Sequence, residues 1–216
     1  MTKKYDHHLE TLNEIRTLME RSSRFISLSG LSGVAAGFWA LVGAAAAYAY
    51  LGVSPLDSKQ VYYQQAMQAN KWGLDYISFF LLDAGLVLIL ALGSGIFFTT
   101  RKARQKKQPI WGPLTRRLLL NLAIPLLTGG IFCIGLAFHG MMGLIAPATL
   151  VFYGLSLINA SKYTFNDIRY LGVAEVFLGL IALFIPGYGL EFWCLGFGLL
   201  HIVYGTALYF KYERAA

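Results

Sequence analysis

This 216-residue chain has little charge, little cysteine and no periodic glycine. Charged residues make up 13% of it and hydrophobic residues 56%, whereas roughly 25% of an average soluble domain is charged. Two cysteines are too few for the disulfide framework of a small secreted protein. The 23 glycines do not recur at every third position, which excludes collagen. Together these deficits exclude a single water-soluble core and indicate an integral membrane protein.

Six apolar segments have lengths close to that of a membrane-spanning helix. A hydrocarbon core of about 30 Å requires roughly 20 helical residues. The segments cover residues 25–53, 74–100, 118–138, 142–160, 170–185 and 192–210. The fourth and fifth are short, but the third and fourth form one apolar run that must turn back near His139 and Gly140. The sequence therefore predicts an all-α fold, a polytopic six-helix transmembrane bundle over residues 25–210.

Basic residues are distributed unevenly among the predicted loops. If the N-terminus is cytoplasmic, sixteen of the eighteen lysines and arginines lie on that side, and only Lys59 and Lys71 lie outside. Cytoplasmic loops are enriched in these residues, so we expect both termini, including the tail 211–216, in the cytoplasm. The net charge of +7 is then explained by the orientation of the chain in the membrane, with its excess of basic residues on the cytoplasmic side. We expect no nucleic-acid binding, because the aromatic platforms and fold signatures of such proteins are absent.

The densest basic cluster separates the second and third predicted spans. Pro109, Gly112 and Pro113 interrupt it, which is typical of an irregular, solvated loop. Basic residues beside a spanning helix attract anionic lipids by about 1 kcal/mol each. We therefore expect this loop to contact anionic headgroups at the cytoplasmic face of the bilayer. The seven residues are Arg101, Lys102, Arg104, Lys106, Lys107, Arg116 and Arg117.

Residues 1–24 have a different pattern, which predicts an amphipathic cytoplasmic helix before the first span. Apolar residues recur there at spacings of three and four; they are Leu9, Leu12, Ile15, Leu18 and Met19. Such a helix can pack on the protein's own cytoplasmic surface or lie at the lipid headgroups. It can also bind a protein partner or a second copy of the chain.

Three ionisable residues and two asparagines lie well inside the predicted spans, where ionisable groups cost about 2.5 to 3.5 kcal/mol on insertion scales. They are Asp83, Asn121, Asn159, Glu175 and His201. Asp83 and His201 have similar predicted depths near the midplane, so a carboxylate could lie beside an imidazole. One interpretation is a polar track from the midplane to the cytoplasm; the other is interhelical hydrogen bonding that stabilises the bundle. One histidine with separated acids predicts no metal site, and we expect no cofactor.

Small residues in the first span predict close helix packing. Ser29, Gly33 and Gly37 are spaced by four, so a neighbouring backbone can approach them. The same segment contains Gly30, Leu31, Ser32 and Gly33, which match the GxSG motif of rhomboid intramembrane proteases. His201 in the sixth span could supply the base, as in rhomboids. We regard a protease as a remote alternative, because the serine is in the first helix rather than the fourth, and the histidine and asparagine of the rhomboid second helix are missing. No other catalytic motif is present, and we assign no catalytic residue.

Two stretches are similar to known sequences over their whole length. They are MERSSRFISLSGLSG, residues 19–33, and SKYTFNDIRYLGVAEVFLGLIALFIPGYGLEFWCLGFGLLHIVYG, residues 161–205. They resemble a group of uncharacterised six-helix bacterial inner-membrane proteins. The resemblance implies a multi-pass protein of the bacterial cytoplasmic membrane and includes Glu175 and His201. It implies no activity.

Two functional hypotheses follow from the sequence. The first is small-solute or ion transport, or proton-linked sensing, through the intramembrane polar residues. The second is a non-catalytic membrane adaptor or scaffold that binds a partner through the N-terminal helix.

Cys133 and Cys194 lie near the outer ends of their predicted helices, where either two free thiols or a disulfide is possible.

Overall fold

A computed structural model of the protein describes residues 28–55, 70–107 and 109–214. The predicted all-helical fold is confirmed, with six helices that coincide with the six predicted apolar segments. They are α1 (Gly30–Leu51), α2 (Tyr76–Gln105), α3 (Pro113–Phe138), α4 (Ile145–Ala160), α5 (Asp167–Phe184) and α6 (Gly189–Tyr212). Short 3-10 turns, Met142–Leu144 and Ser161–Tyr163, flank α4. The helix predicted within residues 1–24 lies outside the described ranges and stays a prediction.

Five of these helices are long and apolar enough to cross a membrane, namely α1, α2, α3, α4 with its flanking turns, and α6. α5 differs because its eighteen residues include three charged ones, Asp167, Arg169 and Glu175. The large apolar side chains of α2 and α3 are mostly exposed on the surface of the bundle. Five apolar helices and such an apolar surface are consistent with a multi-pass membrane protein.

The ends of α2 and α3 differ from those predicted. Arg101 to Gln105 are the last residues of α2, although the basic cluster was expected to be irregular throughout. A helix can retain basic residues in its last turn, because they interact favourably with its C-terminal dipole. α3 begins at Pro113, so Arg116 and Arg117 lie in its first turns. Proline is tolerated at a helix start because its missing N–H would have no partner there.

A small antiparallel ladder precedes α2, in a loop for which no strand was expected. Asn70 pairs with Asp75 and Lys71 with Leu74. The two residues between these strands, Trp72 and Gly73, have φ angles of 60° and 76°, as a tight hairpin turn requires. Asp75 then caps α2 by accepting a hydrogen bond from the backbone N–H of Ser78 at 3.3 Å. Hydrogen bonds from Ser78 hold the pKa of Asp75 below its usual value.

The helices pack in an order that differs from their order in the chain. α1 lies between α2 and α6, α4 packs along α5, and α3 packs on α4. α2 and α3 are consecutive in sequence but make their main contacts with different helices. The backbones of α4 and α5 are very close, since a Cβ on Gly154 would lie 2.5 Å from the Gly172 carbonyl oxygen. This packing places the centre of α5 against both α4 and α6.

Candidate functional site

A buried cluster of Tyr153, Glu175 and His201 lies where α4, α5 and α6 meet. Glu175 is 0% exposed and His201 is 5% exposed. The Nδ1 atom of His201 lies 3.4 Å from Oε1 of Glu175. Its Nε2 atom lies 2.8 Å from the Tyr153 hydroxyl. Three chemically active side chains from three different helices therefore form one contact group away from solvent.

Close helix packing positions Glu175 in this cluster. Gly172 and Gly179 lie three residues before and four residues after it, on the same face of α5. Both glycines are approached by the backbone of α4, since a Cβ on Gly179 would lie 2.8 Å from the Pro147 carbonyl oxygen. The glycines bring α5 against α4, and the carboxylate between them is therefore buried.

A π-helical segment of α6, Cys194–Leu200, ends immediately before His201. Such segments are rare and are frequent at functional sites. Within it, the Gly196 carbonyl oxygen lies 3.0 Å from His201 Nδ1. A Cβ on Gly196 would collide with Oε2 of Glu175 and with Leu150. Glycine at this position therefore leaves the space that the carboxylate occupies.

The hydrogen bonds of His201 restrict its protonation pattern. The Gly196 carbonyl can only accept, so Nδ1 is the donor in that bond. If the imidazole is neutral, Nε2 accepts the hydrogen bond from Tyr153. Neither oxygen of Glu175 has a hydrogen-bond partner within the described ranges. Nδ1 is the imidazole atom nearest to Glu175, at 3.4 Å from Oε1, but it donates to the Gly196 carbonyl and not to the carboxyl group. The carboxyl group and the imidazole can each bind a proton, and at this distance the charge of one affects the protonation of the other.

Asp83 does not belong to this cluster, which corrects the expected pairing of Asp83 with His201. It is half-buried on α2 and faces α1, where a Cβ on Gly43 would lie 3.3 Å from its Oδ2 atom. α1 lies between α2 and α6. The predicted equal depth therefore did not give a contact: α1 lies between the two helices, and along α1 Asp83 faces Gly43 whereas the His201 carbonyl faces Gly33.

Asn121 and Asn159 form a second polar group, closer to the end of the bundle where α4 ends. The Asn159 side chain donates to the Asn121 carbonyl at 2.9 Å, and Lys162 donates to Asn159 Oδ1 at 3.2 Å. Asn121 donates to the Arg117 carbonyl at 2.8 Å. No hydrogen bond of the described residues joins this group to Glu175 or Asp83. The residues predicted to form one polar track thus form three separate polar groups: Glu175 with His201, Asn121 with Asn159, and Asp83.

Lys102 and Glu213 form a junction at the start of α1, which was not predicted. The Lys102 ammonium donates to the Leu28 carbonyl at 2.6 Å and lies 3.4 Å from Oε1 of Glu213. Glu213 also accepts hydrogen bonds from the Ser29 hydroxyl at 3.1 Å and the Gly30 N–H at 2.5 Å. A carboxylate is favourable there because a helix N-terminus carries partial positive charge. The C-terminal end of α6 therefore caps α1.

This junction corrects one of the expected lipid contacts. Lys102 was grouped with the residues that contact anionic headgroups, but it is only 5% exposed. Its ammonium is bound inside the protein, whereas Arg101, Arg104, Lys106, Lys107, Arg116 and Arg117 are exposed. Lys102 lies one residue after an exposed arginine on a helix, so the two side chains point in different directions. The burial of one basic residue in such a cluster cannot be seen in its composition.

Asp167, at the start of α5, is bound by two residues at the end of α6. Lys211 donates to Oδ1 at 2.8 Å and the Tyr212 hydroxyl donates to Oδ2 at 2.6 Å. Partial burial alone would raise the pKa of Asp167, but these two hydrogen bonds outweigh it and hold the pKa below its usual value. The ends of α5 and α6 are thus connected by a charge-assisted pair.

The small residues predicted to pack in α1 face α6. A Cβ on Gly37 would lie 2.5 Å from the Gly198 carbonyl oxygen, and one on Gly33 would lie 3.1 Å from the Gly205 Cα. Ser29 instead uses its hydroxyl for the bond to Glu213. The Ser32 hydroxyl donates to the Ser29 carbonyl, and no hydrogen bond joins Ser32 to His201 among the described residues. The geometry of a serine nucleophile and its base is therefore not formed.

Two features of the cluster were missed in the sequence, and only one had a usable sign. Tyr153 lies in the middle of an apolar segment, far from the interfaces where membrane tyrosines concentrate, and a buried tyrosine usually has a hydrogen-bond partner. Gly196 had no comparable sign, since glycine is common throughout the chain.

Cys133 and Cys194 are free thiols in the structure. The described residues contain no group of three histidines, cysteines or acids that could bind a metal.

No protein-family model, no curated protein and no solved structure matches this chain. The similarity of residues 19–33 and 161–205 to bacterial inner-membrane proteins therefore assigns no family. What can be said of function depends on the geometry of the polar groups.

Proposed function

We propose that this chain is a multi-pass protein of a bacterial inner membrane, with both termini in the cytoplasm, that responds to protons through Tyr153, Glu175 and His201. The distribution of basic residues supports the orientation. The resemblance of the first helix and of residues 161–205 supports the bacterial origin. The buried pair of Glu175 and His201 at 3.4 Å supports the response to protons.

The number of protons on the pair determines its net charge. With one titratable proton on the pair, the carboxyl group and the imidazole are together neutral, either as two neutral groups or as an ion pair. Adding a second proton leaves an imidazolium, and removing the first leaves a carboxylate, without a counter-charge in the cluster. An uncompensated buried charge costs several kcal/mol. Any change in proton number therefore favours a rearrangement that hydrates or separates the groups.

The π-helical segment of α6 is the element best placed to rearrange. His201 Nδ1 bonds the carbonyl of Gly196 within that segment, so the protonation of the pair acts directly on its backbone. π-helical bonds are less regular than those of an α-helix and are found as local insertions. A change at His201 can thus alter the path of α6 between Gly189 and His201.

Sensing accounts for the geometry better than transport does. Transport requires a polar route across the membrane, and the described polar residues form three separate places. Glu175 and His201 are closed off from solvent, and α4 and α5 are in backbone contact beside them. The adaptor hypothesis depends on the Leu9 to Met19 face, which lies outside the described ranges and stays a prediction.

Trp193 offers a direct test of the proposed response. Its ring is 5.1 Å from that of Phe197, which stacks on His201 at 6.0 Å. In reconstituted protein with the other three tryptophans replaced by phenylalanine, we expect Trp193 fluorescence to change with pH in one transition. Glu175→Gln and His201→Gln should each abolish the transition, because each removes one of the two neighbouring groups whose protonation states are coupled.

The matched control is Asp83→Asn, which removes a half-buried acid on α2 that lies outside the cluster. It should leave the Trp193 transition unchanged. A transition that persists in Glu175→Gln, or that disappears equally in Asp83→Asn, would contradict the proposal. A pH-sensitive dye inside the same vesicles separates sensing from transport: proton flux that depends on Glu175 would favour transport.

A further inference from the structure

A shallow cavity lies at the start of α3, in the part of the molecule where the basic cluster is exposed. Its volume is about 470 Å³, and it is lined by Trp111, Gly112, Pro113, Arg116, Arg117 and Leu120. Two guanidinium groups, one indole ring and one leucine thus surround a single space. The lining therefore contains both cationic and apolar side chains.

Arg116 and Arg117 are the charged groups of this cavity. Both side chains are exposed, and neither forms a hydrogen bond or ion pair with any residue the structure describes. Lys102 and Lys211, in contrast, are paired with acids of the protein. A guanidinium group binds phosphate oxygens through two parallel hydrogen bonds. The two arginines therefore have donors available for the oxygens of a phosphate group.

Trp111 places this cavity at the level of the membrane interface. It is 72% exposed, although an indole ring of this size is usually largely buried in a soluble protein. Tryptophan concentrates where lipid headgroups meet the hydrocarbon region, because its ring is apolar and its N–H is polar. The α3 helix continues from this point into a mostly apolar sequence.

An exposed apolar stripe runs along α3 directly away from the arginines. It consists of Leu120, Ile124, Leu127 and Ile131, which are all exposed and recur at the three- and four-residue spacing of one helix face. These eleven steps at about 1.5 Å each cover about 16 Å, which is half of a hydrocarbon core of about 30 Å. The stripe therefore has the length of one lipid leaflet.

We propose that this cavity binds an anionic phospholipid, with its phosphate on Arg116 and Arg117 and an acyl chain along the stripe from Leu120 to Ile131. The site is distinct from the diffuse attraction that the whole basic cluster exerts on a charged membrane. It requires two particular arginines beside one particular apolar face. The site is also independent of the Glu175–His201 pair.

The test uses Trp111 as a local reporter in the full-length protein. The other three tryptophans are replaced by phenylalanine, and the protein is reconstituted in phosphatidylcholine that contains either brominated phosphatidylglycerol or brominated phosphatidylcholine. Bromine quenches the indole, so quenching reports the lipid beside Trp111. We expect phosphatidylglycerol to be favoured. Removing both arginines should reduce that preference about tenfold or more, because each loses its charge-assisted hydrogen bonds to the phosphate.

The variant is R116Q/R117Q, and the matched control is R101Q/R104Q, which removes the same charge from exposed arginines on α2 outside the cavity. The control should retain the preference within about threefold. Equal losses in both double variants, or no preference in the unmodified protein, would overturn the proposal. Reversal of the quenching by inorganic phosphate would instead show a site for the free ion and would overturn the assignment to a lipid.

Discussion

At the scale of single residues, two half-buried tyrosines differ in whether their hydroxyl groups have hydrogen-bond partners. Tyr153 bonds His201 at 2.8 Å. The Tyr204 hydroxyl is buried and has no hydrogen-bond partner within the described ranges. Replacing each tyrosine by phenylalanine therefore distinguishes the contribution of a hydrogen bond to the free energy of unfolding from the contribution of packing the ring.

We expect Tyr153→Phe to reduce the free energy of unfolding by about 0.6 kcal/mol and at most about 1.7 kcal/mol, the range for hydrogen bonds between membrane helices. Tyr204→Phe removes an unpartnered group and should leave stability unchanged or increase it. The measurement is denaturation by SDS in detergent micelles. Equal destabilisation by the two substitutions would show that the Tyr153 bond contributes nothing beyond packing.

The sequence predicted which residues of the site were unusual but not which of them are partners. Glu175 and His201 were visible as candidates because ionisable residues are rare inside apolar segments. Their pairing was not visible, since it depends on α5 and α6 meeting at that level. Asp83 appeared equally suitable for His201 by depth alone, and the position of α1 decides against it.

At the scale of elements, the contact of α1 with α6 depends on the absence of side chains at a few positions. Gly37 faces the backbone of α6 at Gly198, and a Cβ would also lie 3.0 Å from the Ile202 nitrogen. Gly93 on α2 has no heavy atom within 4 Å of the corresponding position. These two glycines are in helices of similar composition but in different surroundings.

Gly37→Ala should destabilise the protein by about 1 to 3 kcal/mol, because backbone atoms of α6 cannot move aside as a flexible side chain could. Gly93→Ala should have no effect or stabilise the protein by up to about 1 kcal/mol, the gain in helix propensity. Thermal unfolding in detergent measures both. A Gly37→Ala variant as stable as Gly93→Ala would contradict the close contact.

Helix positions were predictable from the sequence and helix ends were less so. Length and hydropathy located the six helices of the described residues, and five of these are long and apolar enough to cross a membrane. The basic residues from Arg101 to Gln105 were expected in a loop, yet they continue α2. Charge marks where a helix leaves the hydrocarbon region and does not mark where its hydrogen bonding stops.

At the scale of the whole molecule, the Lys102 to Glu213 junction connects three helices that are distant in the sequence. α1 begins there, α2 ends there, and Glu213 follows the last residue of α6. Lys102 also lies 5.6 Å from the centre of the Phe165 ring, between α4 and α5. The Lys102 ammonium group on α2 therefore interacts with the start of α1, the end of α6 and the connection between α4 and α5.

Lys102→Met should reduce the free energy of unfolding by about 1 to 3 kcal/mol, because it leaves the Leu28 carbonyl without its donor and the Glu213 carboxylate without its counter-charge. Lys106→Met is the matched control: it removes the same charge from an exposed residue four positions later and should change stability by less than about 0.5 kcal/mol. Both are measured by SDS denaturation. Equal effects would indicate that the change in net charge matters and the junction does not.

The sequence by itself predicted a protein of several apolar helices, because that prediction depends only on composition and hydropathy along the chain. The low charge, the six apolar segments and the distribution of basic residues can be read without knowing which helices touch. The tertiary structure alone decided which polar residues meet: Glu175 with His201, Lys102 with Glu213, and Asp83 with none of them. Such partners come from different helices, and their contact depends on the order and closeness of packing, which glycines such as Gly154, Gly172 and Gly196 allow.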